Sequence, residues 1–142
     1  EDSSLPVGGN NTHTVLTGHR GLPSSKLFTR LDELKKGDLF FIKIIDETFA
    51  YKINKIEVVL PDKVSYSIID NQDLATLITC TPYGLNTHRL VITGKRVPYK
   101  KKEKKSIKSS MPSLREIIFY VIPVLFSVAG ILFFRKRGVK NV

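Results

Sequence analysis

The 142-residue chain has little of what builds disulfides and metal sites, since it contains one cysteine, Cys80, and three histidines. A single cysteine excludes an internal disulfide and a metal site made of several thiolates, so we expect no metal ligands. The sequence also has no glycine-rich phosphate loop. It starts at Glu1 without a methionine or a signal-like apolar segment, which indicates a fragment or a processed product.

The first two thirds of the chain have almost no net charge. The whole sequence carries a formal charge of +10, but residues 1–94 contain 10 Lys and Arg against 11 Asp and Glu. Residues 95–142 contain 13 basic and 2 acidic residues, so the basicity belongs to the C-terminal part. A charge argument for nucleic-acid binding therefore loses its force, and we expect no nucleic-acid partner.

Charge is absent altogether over the 18 residues of 117–134. A helix of that length spans roughly 27 Å, close to the hydrocarbon thickness of a bilayer. We therefore predict a globular domain at 1–98, a basic linker at 99–113, a transmembrane helix at 114–135 and a basic tail at 136–142. Counting Lys and Arg on the two flanks would by itself leave the globular domain in the cytoplasm, but both flanks are basic and the rule is weak here.

Within 1–98 the patterns are mostly those of β-strands. β-branched and apolar runs separated by turn residues predict strands at 13–17, 39–45, 48–60, 64–69, 74–79 and 89–93. One short amphipathic helix is predicted after Pro23, with Leu27, Phe28, Leu31 and Leu34 on one side, and it ends at Gly37. Short strands at near-regular spacing with a single short helix indicate a mainly β fold, either a barrel or a sandwich.

Cys80 ends the strand predicted at 74–79 and enters the turn-rich loop TPYGLNT. A nucleophilic cysteine needs a histidine or another cation nearby, because a free thiol is mostly protonated at neutral pH. Arg89 begins the next strand, and a hairpin return would place its planar donor fork beside Cys80, where it could stabilise an oxyanion or orient a carbonyl. A structural thiol and a surface arginine are the alternatives that spacing alone leaves open.

Three histidines could assist Cys80. His19 follows a predicted strand and lies between Gly18 and Gly21, and glycines allow the close approach that active-site turns require. His13 lies in or at the edge of that strand, where a structural role is more typical. His88 precedes Arg89, and strand alternation would send these two side chains to opposite faces. The pattern favours His19 over the other two.

The stretches LTGHRGLP and TLITCTPYGLNTHRLVITGKR together resemble the sortase family, and TLITC matches its TLxTC signature. The longer TCTPYGLNTHRL, the LPVGG before THTVLTGHRG and the C-terminal apolar run are similar to class C sortases, the pilin polymerases. The resemblance covers about residues 4–97 and keeps the order His, Cys, Arg. It implies a sortase-like β-barrel, which we expect to be incomplete, with its opening strands, a lid and a first membrane segment missing before Glu1.

The resemblance implies a cysteine transpeptidase with Cys80 as nucleophile, His19 as acid/base partner and Arg89 as oxyanion or substrate-orienting cation. Such an enzyme cleaves an LPxTG-like sorting signal between Thr and Gly and transfers the acyl group to a lysine amine of another pilin subunit. It uses no metal or organic cofactor. The substrate-binding candidates near the nucleophile are Thr79, Leu77 and Tyr83.

The resemblance also implies an extracellular catalytic domain on the membrane of a Gram-positive cell, held by the run 117–134, with the C-terminus in the cytoplasm. Two other functions stay open. One is a sortase that anchors proteins to a peptidoglycan amine, since the acceptor cannot be inferred from Cys, His and Arg. The other is a membrane-tethered module that binds polyanions through its basic tract and uses no thiol chemistry.

Overall fold

A computed structural model describes residues 3–21, 26–101 and 114–138, and in the last range it describes the side chains of 117–133. The chain divides into two compact units, Glu1–Tyr99 and Lys100–Val142, and each is described by itself. The domain bounds predicted at 98/99, 113/114 and 135/136 stay a prediction.

The first unit is built on one five-stranded sheet. Its strands are β1 (Thr12–Thr17), β2 (Leu39–Ile44), β3 (Glu47–Val59), β4 (Asp73–Thr81) and β5 (His88–Val97). They lie in the order β1-β4-β5-β3-β2, with β1 parallel to β4 and the other pairs antiparallel. The mainly β fold is therefore confirmed. Over the described residues the outer strands β1 and β2 do not pair with each other, so the sheet is open.

One face of the sheet carries the hydrophobic core. Cross-strand pairs on β4 and β5, such as Leu77 with Ile92, contribute to it together with Phe40 and Tyr51. Successive side chains of a strand point to opposite faces. Ala75 and Leu77 of β4 belong to the core, so the alternate positions of this strand, including Cys80, point away from it. The face that bears Cys80 is thus separate from the apolar core.

The strand predicted at 64–69 is wrong. After β3 the chain forms a 3₁₀ turn, Pro61–Lys63, and continues without strand pairing to residue 72. The three inner strands β4, β5 and β3 already have a neighbour on each side, so the apolar run that follows β3 cannot pair with any of them. The segment is held instead by side chains, because the Nδ1 of His13 lies 2.6 Å from the carbonyl oxygen of Ser67 and its ring meets Tyr66 edge-on.

The short amphipathic helix predicted between Pro23 and Gly37 is also wrong in its extent, and residues 22–25 lie outside the described part of the chain. The only helical turn observed in its described part is a 3₁₀ turn, Leu31–Glu33, after which Leu34 has an extended backbone. Leu31 is buried, and Phe28 and Leu34 pack against the core, whereas Leu27 is 58% exposed. The apolar residues that predicted a helix therefore face the core mostly from turns.

In the described part of the second unit, residues 114–138 form the long helix α1 (Leu114–Gly138), which covers the uncharged run and includes Pro123. The large apolar side chains of 117–133 are mostly exposed. Within the described residues, no helix has the length and apolarity that a membrane crossing requires. The transmembrane helix predicted at 114–135 is therefore not found, although the segment is helical.

Candidate active site

The candidate site lies where three neighbouring strands end or begin on the face opposite the core. Cys80 is the penultimate residue of β4, and in the antiparallel β4–β5 ladder it is paired directly with Arg89. Residues directly opposite each other in such a ladder have Cβ atoms about 5 Å apart on the same face. The hairpin return predicted from the sequence therefore brings the arginine beside the thiol.

His19 reaches the same place from the other side of β4. The parallel pairing of β1 with β4 ends with Thr17 opposite Ile78, and the next amide, of Gly18, donates to the carbonyl oxygen of Ile78 at 3.1 Å. The hydroxyl of Thr79 then donates to the carbonyl oxygen of Gly18 at 2.8 Å. His19 follows at once and is exposed, so the β1 ladder delivers the imidazole to the end of β4 that carries Cys80.

A pocket of about 200 Å³ joins these elements. Its lining residues come from the end of β1, the end of β4 and the start of β5: Thr17, Gly18, His19, Ile78, Thr79, Cys80 and Arg89. All three side chains predicted to be catalytic thus line one pocket. Cys80 is a free thiol and is half-buried, so a substrate carbonyl can approach it from the pocket.

Arg89 is oriented by the loop that precedes it. Its Nη1 donates to the carbonyl oxygens of Asn86 and His88, at 3.2 and 3.1 Å. Asn86 has a φ of 57°, in the left-handed region that asparagine tolerates, and its amide donates to the carbonyl oxygen of Pro82 at 3.0 Å. The loop therefore closes tightly and fixes one nitrogen of the guanidinium, while the other two nitrogens can face a substrate oxygen.

The other two histidines lie elsewhere. His13 is buried, with its Nε2 2.7 Å from Oγ1 of Thr76 and its Nδ1 bonded to the main chain of Ser67. His88 pairs with Thr81 in the ladder, one position from Arg89 and hence on the opposite face, and its Nδ1 lies 2.9 Å from the hydroxyl of Thr87. Of the three histidines, all of which lie in the described residues, only His19 lines the pocket.

The three substrate-binding candidates occupy different environments. Thr79 lines the pocket but is buried, and its hydroxyl is bonded to Gly18. Leu77 packs into the core on the other face of the sheet. Tyr83 is 53% exposed, and its ring covers Gly21, where a Cβ atom would lie 2.6 Å from the ring. Their role in binding substrate stays a prediction.

Arg20, the residue after His19, was not among the site residues predicted from the sequence. Its side chain is only 2% exposed, and it forms an ion pair with Asp32 and a hydrogen bond to Thr81. The sequence offered one signal for this residue, which was its position between the candidate histidine and a glycine. Because arginine side chains are mostly exposed, that position did not predict a buried charge. Within the described residues, no group of three His, Cys, Asp or Glu could hold a metal ion.

Comparison with known proteins identifies the family of this chain. A family model described as a sortase domain matches residues 1–97. Sortase A of Bacillus anthracis is 32% identical over 89 residues, which are 63% of this chain and 42% of that protein. Sortase A of Listeria monocytogenes is 32% identical over 81 residues, covering 56% of this chain and 36% of that protein.

Solved structures give stronger matches. Sortase C-1 of Actinomyces oris is 52% identical with a TM-score of 0.65, over 68% of this chain and 54% of that one. Sortase C of Streptococcus pneumoniae is 51% identical with a TM-score of 0.67, over 70% of this chain and 51% of that one. The chain therefore spans about half the length of these solved proteins and less than half of the two curated relatives.

Proposed function

Because the chain belongs to the sortase family, we propose that it is a cysteine transpeptidase that cleaves an LPxTG-like sorting signal between Thr and Gly. The observation that carries this proposal is the convergence of Cys80, His19 and Arg89 on one pocket at the end of β4. A nucleophile, a proton carrier and a fixed cation within one pocket form the set that acyl transfer requires.

In the first half of the reaction the thiolate of Cys80 attacks the carbonyl carbon of the threonine. The tetrahedral intermediate collapses with cleavage of the Thr–Gly C–N bond, and His19 gives a proton to the departing glycine amine. A thioester between Cys80 and the threonine acyl group remains. In the second half the nitrogen of an acceptor amine attacks this thioester and gives one proton to His19. The C–S bond breaks, the thiolate of Cys80 leaves, and the new C–N bond is an amide.

Arg89 acts on the carbonyl oxygen, which becomes negatively charged in the tetrahedral intermediate. Its guanidinium is held by main-chain carbonyls on its own side of the pocket, which supports a fixed orientation before substrate arrives. A donor that needs no reorganisation stabilises the developing charge more than a mobile one does.

For the acceptor we propose a lysine amine of another pilin subunit, so that the product is an isopeptide bond. The support is the identity of about half of the aligned residues to sortase C enzymes, including that of Streptococcus pneumoniae, for which pilin substrate specificity is described. The alternative acceptor is a peptidoglycan amine, and the 32% identity to two sortase A proteins keeps it as the competing outcome.

We further propose that the catalytic domain acts outside the cell membrane. The support is the match to the sortase family over residues 1–97. Fractionation of Gram-positive cells that express the chain, with protease treatment of intact cells, tests this. Recovery of the catalytic domain in the cytosolic fraction, protected from protease, would contradict the proposed location.

The enzymatic proposal is tested by incubating the chain with an LPxTG-type peptide and following the mass of the protein. We expect a thioacyl adduct on Cys80 that disappears when a lysine-bearing pilin peptide is added, with an isopeptide-linked product in its place. Cys80→Ala is the control and forms no adduct. An adduct resolved only by a peptidoglycan-type amine would change the acceptor. Absence of any adduct on the wild-type chain, with polyanion binding intact in Cys80→Ala, would favour the non-enzymatic module.

A further inference from the structure

The residues on either side of Cys80 are bonded to the residues on either side of His19. The hydroxyl of Thr79 donates to the carbonyl oxygen of Gly18 at 2.8 Å. On the other side, Nη1 of Arg20 donates to the hydroxyl of Thr81 at 3.1 Å. Two hydrogen bonds thus connect the segment of Cys80 to the segment of His19. One joins the residues that precede these two, and the other joins the residues that follow them.

Arg20 extends this connection to a third segment. Its Nη2 forms an ion pair with Asp32 at 2.5 Å, in the 3₁₀ turn Leu31–Glu33. The main chain around His19 is fixed to the same region, because the amide of Phe28 donates to the carbonyl oxygen of His19 at 3.1 Å. The His19 loop is therefore held between the end of β4 and the 26–33 segment.

The burial of Arg20 is hard to explain by stability alone. Its side chain is 2% exposed, and among the described residues its Nε has no hydrogen-bond partner. A buried ion pair is weak evidence for stabilisation, since a well-packed apolar side chain often does as well or better, and an unsatisfied buried N–H adds a cost. What the guanidinium offers beyond an apolar residue is a planar fork that bonds two segments at once.

We propose that Arg20 is a positioning residue that sets the imidazole of His19 relative to the thiol of Cys80 through its bonds to Thr81 and Asp32. It is not among the residues that line the pocket, so it would act on the reaction through His19 rather than through the substrate. Small displacements of reacting groups are costly, since about 1 Å can reduce a rate about 100-fold. This inference rests on the proposed function for its meaning in catalysis, but the geometry can be tested without a sorting signal.

The test measures the rate at which iodoacetamide alkylates Cys80 in the full chain from about pH 5 to about pH 9. Thr81→Val removes the hydroxyl that accepts from Arg20 and keeps the side-chain shape, whereas Thr81→Ser keeps the hydroxyl. Arg20→Lys keeps a positive charge for Asp32 but replaces the planar two-nitrogen fork with a single nitrogen on a flexible stem. Thr12→Val, which removes a hydroxyl bonded to Gly9 at the far end of β1, is the control for loss of a hydroxyl.

We expect Thr81→Val and Arg20→Lys to alkylate about tenfold more slowly at neutral pH and to shift the pH of half-maximal rate. Thr81→Ser and Thr12→Val should follow the wild type. With the sorting peptide, kcat should fall in the first two variants while KM stays near the wild-type value, because the pocket lining is unchanged. If Thr81→Val does not fold, as judged by circular dichroism, Arg20→Lys and Thr81→Ser decide the question.

Wild-type alkylation rates and an unshifted pH profile in folded Thr81→Val and Arg20→Lys would overturn the positioning role. Failure of the proposed function has a different signature. A wild-type chain that forms no acyl adduct refutes the transpeptidase, and the alkylation profiles still decide what Arg20 does.

Discussion

His13→Phe tests whether the buried histidine of β1 is structural. The Nε2 of His13 lies 2.7 Å from the hydroxyl of Thr76, which in turn lies 2.9 Å from the hydroxyl of Thr93. Its Nδ1 lies 2.6 Å from the carbonyl oxygen of Ser67. Phenylalanine preserves a ring that can meet Tyr66 edge-on but supplies neither nitrogen. The substitution therefore removes two hydrogen bonds and little packing.

The two bonds should contribute unequally. Thr76 is 1% exposed, and water cannot readily replace the lost imidazole, so this loss costs about 1–2 kcal/mol, limited by the remaining bond to Thr93. Ser67 is exposed, so water can bond its carbonyl oxygen and that loss costs about 0.5–1 kcal/mol. The free energy of unfolding should therefore fall by about 2 kcal/mol, which lowers Tm by roughly 8–16 °C in a domain of this size.

Urea unfolding of the full chain, followed by circular dichroism, measures this difference. His88→Phe is the matched control, because His88 is partly exposed and its bond to Thr87 lies at the surface, so its effect should stay below about 0.5 kcal/mol. The alkylation rate of Cys80 should be unchanged in both folded variants. Equal stabilities of the two variants would refute the energetic reasoning, and loss of thiol reactivity in folded His13→Phe would mean that His13, not only His19, acts on Cys80.

Three further outcomes follow from individual contacts. Arg89→Lys should reduce turnover about 100-fold in steady-state assays with the fold intact, because a point charge replaces the planar fork; near-normal turnover would show that charge alone suffices. Gly94→Ala should lower the free energy of unfolding by about 1–3 kcal/mol in urea titrations, because its Cβ would lie 2.6 Å from Phe40 and 3.0 Å from Tyr51; an unchanged urea midpoint would show that the site has free space. Burial raises the pKa of Tyr51, a hydrogen bond from Arg96 opposes this and one to Asp73 adds to it. Since an unfolded tyrosine ionises near pH 10 while the folded one stays protonated, the free energy of unfolding should fall above about pH 10. In urea titrations this fall should be steeper for the wild type than for Tyr51→Phe, and the same pH dependence in both proteins would contradict the raised pKa.

Local patterns in the sequence were enough to predict that Cys80 and Arg89, which are nine residues apart, lie side by side in the site. Cys80 and Arg89 belong to one hairpin, so a strand followed by a turn-rich loop and another strand predicts their pairing, which the ladder confirms. Alternation also separated His88 from Arg89 correctly. The apolar run at 64–69 was misassigned because strand propensity does not reveal which sheet edges are taken, and the inner strands β4, β5 and β3 already have a neighbour on each side.

The rest of the site depends on partners that are distant in sequence. Gly18 and Thr79 are 61 residues apart, and no local pattern indicates that β1 pairs in parallel with β4. The glycines around His19 favoured it over the other histidines, and the family resemblance supplied its acid/base role. Arg20 was missed for a related reason: its burial is caused by Asp32 and Thr81, and neither contact can be inferred from the residues around it.

The two halves of the site therefore differ in how they are held. The Cys80–Arg89 pair is fixed by a hairpin whose strands form a continuous antiparallel ladder, so its closure involves a short loop. His19 is fixed by a parallel pairing across a long connection, whose closure costs more conformational entropy. Without additional bonds the imidazole would be the least well positioned of the three groups. The bonds from Thr79 to Gly18 and from Arg20 to Thr81 lie at the point where this weaker pairing ends, which is where extra connections limit the motion of His19 most.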